Sequence, residues 1–384
     1  MASAGIGPVE TRFFTHGSPA DPVVLSSGAT FEEITLAYET YGKLNADKSN
    51  AVLVFHALTG SQHVAGINES LPEADGRWTE ENHVGWWDGY VGPGKGIDTD
   101  EYFVICANYL GGCYGSTGPS SQDPATGRPY ASAFPDVTFG DMVDAQIPLL
   151  DSLGIERLRA VAGGSTGGMM ALSLATRYPG RVEVVIPIAS GARTTSLQKI
   201  HNLEQIAAIQ NDPSFNGGDY YAGQRPDGGL ALARMIQHKT FVSIAALKFR
   251  AREEVNTSDG PGTYRLRHSV ESYMWHQGRK FVHRFDANTY LRIMYAWQSI
   301  DLVRDAGASG FRELFTASQQ HRYLVFTIDS DVCFYPEEQD ELLNYLESAG
   351  VSYEHVVVHS DKGHDSFLVE PDLYAKHLAA ALRD

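Results

Sequence analysis

The run AGGSTGGMMAL sets Gly163, Ser165 and Gly167 in the pattern G-x-S-x-G. A serine hydroxyl is a weak nucleophile until a base takes its proton. Glycines on either side permit a turn too sharp for side chains, which lifts the hydroxyl clear of its surroundings. The run follows the strand candidate LRAVAG (158–163) and precedes a helical run from Met169 to Tyr178. That strand–turn–helix context is what a nucleophile elbow requires. A glycine-rich turn with an incidental serine would not call for it. The chemistry expected is acyl transfer through Ser165.

Such a serine needs a base and an acid to orient it, arriving later in the chain in the order Ser, Asp or Glu, His. His364, in HSDKGHDSFL, follows the strand candidate EHVVVHS and lies near the C-terminus. His359 is expected to pack within that strand, and His56 precedes the serine and suits another role. Asp329 and Asp331 both follow YLVFTI; Asp331 is preferred because two further residues carry it clear of the sheet edge. There it would hold His364 in one tautomer and stabilise its protonated form. A developing oxyanion needs donors aimed at it. The backbone N–H of Thr166, next after the nucleophile, is one. The N–H of Leu58 in HALTG (56–60) is the other, with Thr59 close behind. GPGKG (92–96) lacks the spacing of a phosphate-binding loop, no dinucleotide fingerprint is present, and no His/Glu cluster has metal-ligand spacing. The expectation is therefore no metal and no tightly bound cofactor.

The elements that must carry these residues read as a mostly parallel sheet flanked by helices. Short apolar runs, AVLVF (51–55), YFVICA (102–107), LRAVAG, VVIPIA (184–189), YLVFTI (323–328) and EHVVVHS (354–360), predict strands. Val143, Ile147 and Leu150 recur at helical spacing, with a kink expected at Pro148, and Leu342, Tyr345 and Leu346 do the same later. Residues 193–318 differ: they hold no obvious strand and several helical segments, including a run over 229–249. The βα pattern resumes after them. The domain expectation is a core of residues 1–192 and 319–384, with 193–318 inserted as a helical lid.

At 384 residues and 43% hydrophobic content the chain can bury a sizeable core. A net charge of −17 and the lack of a Lys/Arg cluster argue against nucleic acid and against an anionic membrane surface as partners. Three cysteines with no paired spacing argue against a secreted disulfide framework. The N-terminal residues lack a signal-peptide pattern and no apolar stretch approaches a bilayer span, so a cytoplasmic location is expected.

With these motifs go others: LAYETYGKLN (36–45), NAVLVFHALTG (50–60), the long run 85–121, NGGDYY (216–221), GLALARM (229–235), KFVHRFDANTYL (280–291) and GHDSFL (363–368). Together they resemble the homoserine O-acetyltransferase family of α/β-hydrolase-fold enzymes over nearly the whole chain. That family includes serine O-acetyl-, homoserine O-succinyl- and deacetylcephalosporin C acetyltransferases. The resemblance implies an α/β-hydrolase fold and a ping-pong reaction. Ser165 would take an acetyl group from acetyl-CoA as co-substrate, and the hydroxyl of L-homoserine would then take it from the serine. It implies that Arg234 holds the acceptor's carboxylate and Asp365 its amine, and that the protein is a homodimer. A serine acceptor, a succinyl donor, a specialised acceptor, or water as in an ester hydrolase are the alternatives. Several positions depart from the family: Thr166 stands where methionine is usual, Met170, Ser173 and Leu174 where Gln and then Glu-Trp are usual, and Phe241 where a tyrosine is common, and the segment 191–205 is unusual after its first residues.

Overall fold

The computed structural model describes residues 5–253 and 260–383. Residues 254–259 of the expected lid, and the chain ends 1–4 and 384 of the expected core, lie outside the described residues. An eight-stranded sheet runs through the centre. Its strands are β1 (Arg12–His16), β2 (Ile34–Tyr41), β3 (Ala51–Phe55), β4 (Phe103–Ala107), β5 (Leu158–Gly164), β6 (Val182–Ile188), β7 (Arg322–Ile328) and β8 (Tyr353–Val358). Their spatial order is β1-β2-β4-β3-β5-β6-β7-β8. β2 pairs antiparallel with β1 and β4, and every pairing from β4 to β8 is parallel. In such a strand, successive side chains face opposite sides of the sheet. Accordingly Ala51, Leu53 and Phe55 enter one buried cluster while Val52 and Val54 enter the other. All five residues of β3 are buried, which is why this strand reads as an unbroken apolar run.

The sequence of strands reverses direction across the sheet between β3 and β5. At such a switch point the loops leaving two neighbouring parallel strands diverge and open a crevice at their carboxyl ends. The loops 56–60 after β3 and 165 after β5 meet there.

The kink expected at Pro148 is a two-residue interruption at Ala145 and Gln146, which keep helical dihedrals. Helix α1 (Phe139–Asp144) ends and α2 (Ile147–Ser152) begins anew with Pro148 in its first turn. A continuous helix would drive the Pro148 ring against the carbonyl four residues back, that of Asp144, and would leave that carbonyl without its donor. Helix α3 (Thr166–Arg177) follows β5 directly. Between β6 and β7 the chain forms α4 (Ser196–Gln210), α5 (Asp227–Phe241), α6 (Ile244–Glu253), α7 (Ser269–Phe281), α8 (Ala287–Ser299) and the short α9 (Leu302–Asp305) and α10 (Phe311–Thr316). The helical run over 229–249 is thus two helices. Val242 takes an extended conformation (φ −113°, ψ 130°), and Ser243 restarts the helix by accepting from the Ala246 N–H at 3.1 Å. After β7 come α11 (Pro336–Ser348), α12 (Ser366–Val369) and α13 (Ala375–Arg383).

Candidate active site

Ser165 sits between β5 and α3 with φ 60° and ψ −129°, a conformation costly for any residue with a side chain. It is held there by its neighbours. Its N–H donates to the Ile188 carbonyl at 2.9 Å, and its carbonyl accepts from the Ser190 hydroxyl at 2.7 Å. The flanking glycines are steric necessities. A Cβ on Gly163 would lie 2.3 Å from the Gly167 backbone, and one on Gly167 would lie 2.3 Å from the Phe55 carbonyl oxygen of β3. Real Cβ atoms do not approach so closely, so α3 packs against β3 and β5 only if both positions are glycine.

Asp331, buried after β7, uses both carboxylate oxygens. Oδ1 accepts from the Cys333 and Phe334 N–H groups at 2.7 and 2.9 Å, and Oδ2 accepts from His364 Nδ1 at 2.7 Å. Three donors thus hold the carboxylate in one orientation. Asp329, the competing candidate, faces outward instead. It pairs with His359 Nδ1 at 2.8 Å and accepts from the Ser360 N–H at 3.1 Å. The expectation that His359 packs within a strand is therefore corrected: β8 ends at Val358, and the His359 side chain is 82% exposed.

His364 lies in a tight turn over Gly363–Asp365, its ring enclosed by Phe334 (5.5 Å between centroids, stacked), Phe241 (5.5 Å) and Phe367 (5.2 Å, edge-on). Three aromatic walls and one ion pair leave the ring a single orientation. With Nδ1 committed to Asp331, Nε2 has no partner among the described residues. The ring lines a cavity of about 200 Å³ that Ser165 also lines.

Leu58, Arg234, Phe241 and Asp365 line the same cavity. Thr166 is the first residue of α3, so its N–H has no acceptor within the helix. Arg234, on α5, donates to Gln237 Oε1 at 3.1 Å and lies over the rings of Phe281 (4.9 Å) and Phe241 (5.6 Å). No carboxylate lies within 4.0 Å of it among the described residues. Burial and then the neighbouring Arg284 pull its pKa down to about 10. Asp365 moves the opposite way, raised by burial against the counter-pull of Arg250, whose Nη1 is 3.3 Å from Oδ2. A guanidinium with no carboxylate within 4.0 Å among the described residues and a buried carboxylate paired with Arg250 thus share one small chamber.

Three residues of this chamber escaped the sequence reading: Arg284, Glu81 and His63. The available signal for Arg284 was a guanidinium set between Phe281 and Phe285, since charge inside an apolar run is costly unless something binds it. His63 donates from Nδ1 to the fully buried Glu39 at 2.7 Å, a partner from β2 that no local pattern announces. His56 lies under the loop it begins, stacked on Tyr109 at 3.6 Å. Its Nδ1 donates to the Ala57 carbonyl at 2.8 Å, and burial lowers its pKa to about 4.

The sequence matches the alpha/beta hydrolase fold family over residues 50–371. It is 45% identical to a homoserine O-acetyltransferase of Desulfotalea psychrophila, over 96% of this chain and 92% of the relative. The chain belongs to the homoserine O-acetyltransferase family. Among solved structures, the homoserine O-acetyltransferase of Bacillus anthracis matches with a TM-score of 0.85 at 28% identity, covering 98% of each chain. Esterase E22 matches equally well, with a TM-score of 0.86 at 26% identity, over 97% of this chain and 100% of its own. The family and the mostly parallel sheet agree with the sequence reading. Among the described residues, no helix is long and apolar enough to cross a membrane.

Proposed function

We propose that this chain moves an acetyl group from acetyl-CoA to the hydroxyl of L-homoserine, a step toward methionine, through an acyl-Ser165 intermediate. One observation carries the proposal: a serine at a strained elbow and a histidine whose Nε2 has no partner among the described residues share a cavity with a buried arginine and a buried aspartate. Ser165 Oγ attacks the thioester carbonyl while His364 Nε2 takes its proton. Asp331 stabilises the imidazolium, and the oxyanion rests against the Leu58 and Thr166 N–H groups. The CoA sulfur leaves with the proton from His364. The homoserine hydroxyl then gives its proton to Nε2, attacks the acyl-serine, and releases Ser165 with that proton. Arg234 receives the acceptor's carboxylate and Asp365 its ammonium. A second carboxylate on the acyl group would find the other guanidinium, Arg284, already beside Glu81 at 3.5 Å, which favours acetyl over succinyl.

In this reading residues 193–318 serve as a lid over a core of 1–192 and 319–384. Arg234, Phe241 and Arg284 are its contribution to the chamber wall, and the Phe241 ring 5.5 Å from that of His364 supports water exclusion during the lifetime of the acyl-enzyme. The protein is a cytoplasmic homodimer that uses acetyl-CoA as a passing co-substrate and small molecules as its only other partners.

Thiol release from acetyl-CoA, with and without L-homoserine, tests the proposal. Release that requires homoserine and is lost in Ser165→Ala is expected. The likeness to esterase E22 favours hydrolysis as the second reading. Thiol release at the same rate without any amino acid would select it.

A further inference from the structure

We infer that Arg284 is a positioning residue for the oxyanion loop, holding the Thr59 carbonyl from outside the sheet and so aiming the Leu58 N–H into the cavity. The inference rests on the acyl-serine reading above. The loop after β3 is a four-residue turn in which the Gly60 N–H donates to the Ala57 carbonyl at 2.9 Å. A peptide unit is planar, with its C=O and N–H pointing opposite ways. The Ala57 carbonyl and the Leu58 N–H belong to one such plane, so the two donors on Ala57, Gly60 N–H and His56 Nδ1, set where the Leu58 N–H points. The Thr59 carbonyl and the Gly60 N–H belong to the next but one. Arg284 Nη1 donates to that carbonyl at 3.2 Å. Releasing it frees the 59–60 plane to swing, which loosens the Gly60 bond to Ala57 and then the Leu58 donor.

The arginine is itself anchored. It leaves the turn after α7, its guanidinium lies over the Phe281 ring at 5.0 Å, and its backbone carbonyl accepts from the Tyr114 hydroxyl at 2.5 Å. Two residues on, Asp286 caps α8 and is gripped by the Tyr220 and Tyr221 hydroxyls at 2.8 and 2.9 Å and by Arg77 at 3.3 Å. Glu81 lies 3.5 Å from Arg284 Nε and is shared with Lys280 Nζ at 3.0 Å, so Arg284 has a carboxylate beside it, whereas Arg234 has none within 4.0 Å among the described residues. That difference assigns substrate binding to Arg234 and positioning to Arg284.

The test is the pre-steady-state burst of Ser165 acylation by 4-nitrophenyl acetate in the absence of any amino acid, in the intact protein and in Arg284→Met and Arg284→Lys. Losing an oxyanion donor costs about 10²–10³ in kcat, and a misdirected donor costs less, so the acylation rate in Arg284→Met should fall about 10- to 100-fold. Arg284→Lys, which keeps a donor and the charge beside Glu81, should restore part of it. The homoserine KM in the complete reaction should move less than about twofold. A raised homoserine KM with an unchanged burst would overturn the inference and make Arg284 an acceptor ligand. Equal burst losses in both variants, tracking a lowered Tm, would overturn it in favour of a fold-stabilising role. A parent protein that shows the burst without acetylating homoserine would sink the proposed function and leave this inference standing. A parent protein that releases no 4-nitrophenol at all, in a burst or at steady state, and no thiol from acetyl-CoA would remove both.

Discussion

Two aspartates follow β7 within three positions, and only their partners separate them. Asp331 is buried and spends one oxygen on His364 and the other on two backbone N–H groups. Asp329 holds an exposed histidine. Replacing an orienting aspartate by its amide leaves the geometry but presents the wrong tautomer, at a cost of about 10⁴ in kcat. Asp331→Asn should therefore lose about 10³- to 10⁴-fold in homoserine-dependent thiol release with an unchanged circular dichroism spectrum. Asp329→Asn should stay within about twofold, as a change to a surface pair normally does. The sequence made Asp331 legible because chain order and distance past the strand are local properties. Phe241 was legible only as a departure. Its ring stands 5.5 Å from the His364 ring and 5.6 Å from the Arg234 guanidinium, a placement that depends on where α5 ends against a loop more than a hundred residues later. His359 was misread because apolar neighbours on one side do not reveal where a strand stops.

At the scale of elements, six strands were readable as apolar runs: β3 to β7 because most of their positions are buried on both faces, and the edge strand β8, where only Val358 is buried, through its three consecutive valines. β1 and β2 were not. β1 is an edge strand whose five residues are all exposed or only partly buried, and β2 carries the fully buried Glu39. Thr11, Tyr41, His63 and Asn68 satisfy that carboxylate, so the strand tolerates a charge that its sequence alone makes unlikely for an interior. The helix break at 242–243 was hidden for a related reason: both halves are good helix, and the interruption is imposed by the 361–363 loop packed against it. By contrast the strand–turn–helix at Ser165 is written in its glycines. Gly167→Ala would force a Cβ to 2.3 Å from the Phe55 carbonyl and push α3 off β3. Urea unfolding should show a loss of about 1–3 kcal/mol or more. Gly180→Ala, where an added Cβ meets nothing within 4 Å, should change stability by less than about 0.5 kcal/mol.

For the molecule as a whole, the large exposed apolar side chains are concentrated on the helices between β6 and β7. Leu197, Ile200 and Leu203 on α4, Leu232 on α5, and Ile244 and Phe249 on α6 are each between 37% and 75% exposed. A surface of that kind suits a second copy of the chain, in keeping with the homodimer proposed above. Ile200→Asp combined with Phe249→Asp should convert a dimer to a monomer in sedimentation velocity; a parent protein that sediments as a monomer would refute the dimer. Those helices also reach the base. The Ser243 N–H at the α5–α6 break donates to the Lys362 carbonyl at 3.3 Å, its hydroxyl donates to the Asp361 carbonyl, and the Gly363 N–H donates to the Ser330 hydroxyl at 3.1 Å. Three segments far apart in the chain are thereby tied at one knot, one residue from His364. A segment that opens must break every bond it shares with its neighbours, so these three should exchange with solvent as a single cooperative unit in amide hydrogen-exchange measurements. If the proposed acyl donor enters by that route, any loosening of the helices large enough to admit it also slackens the histidine, leaving the site least able to react at the moment it is most open.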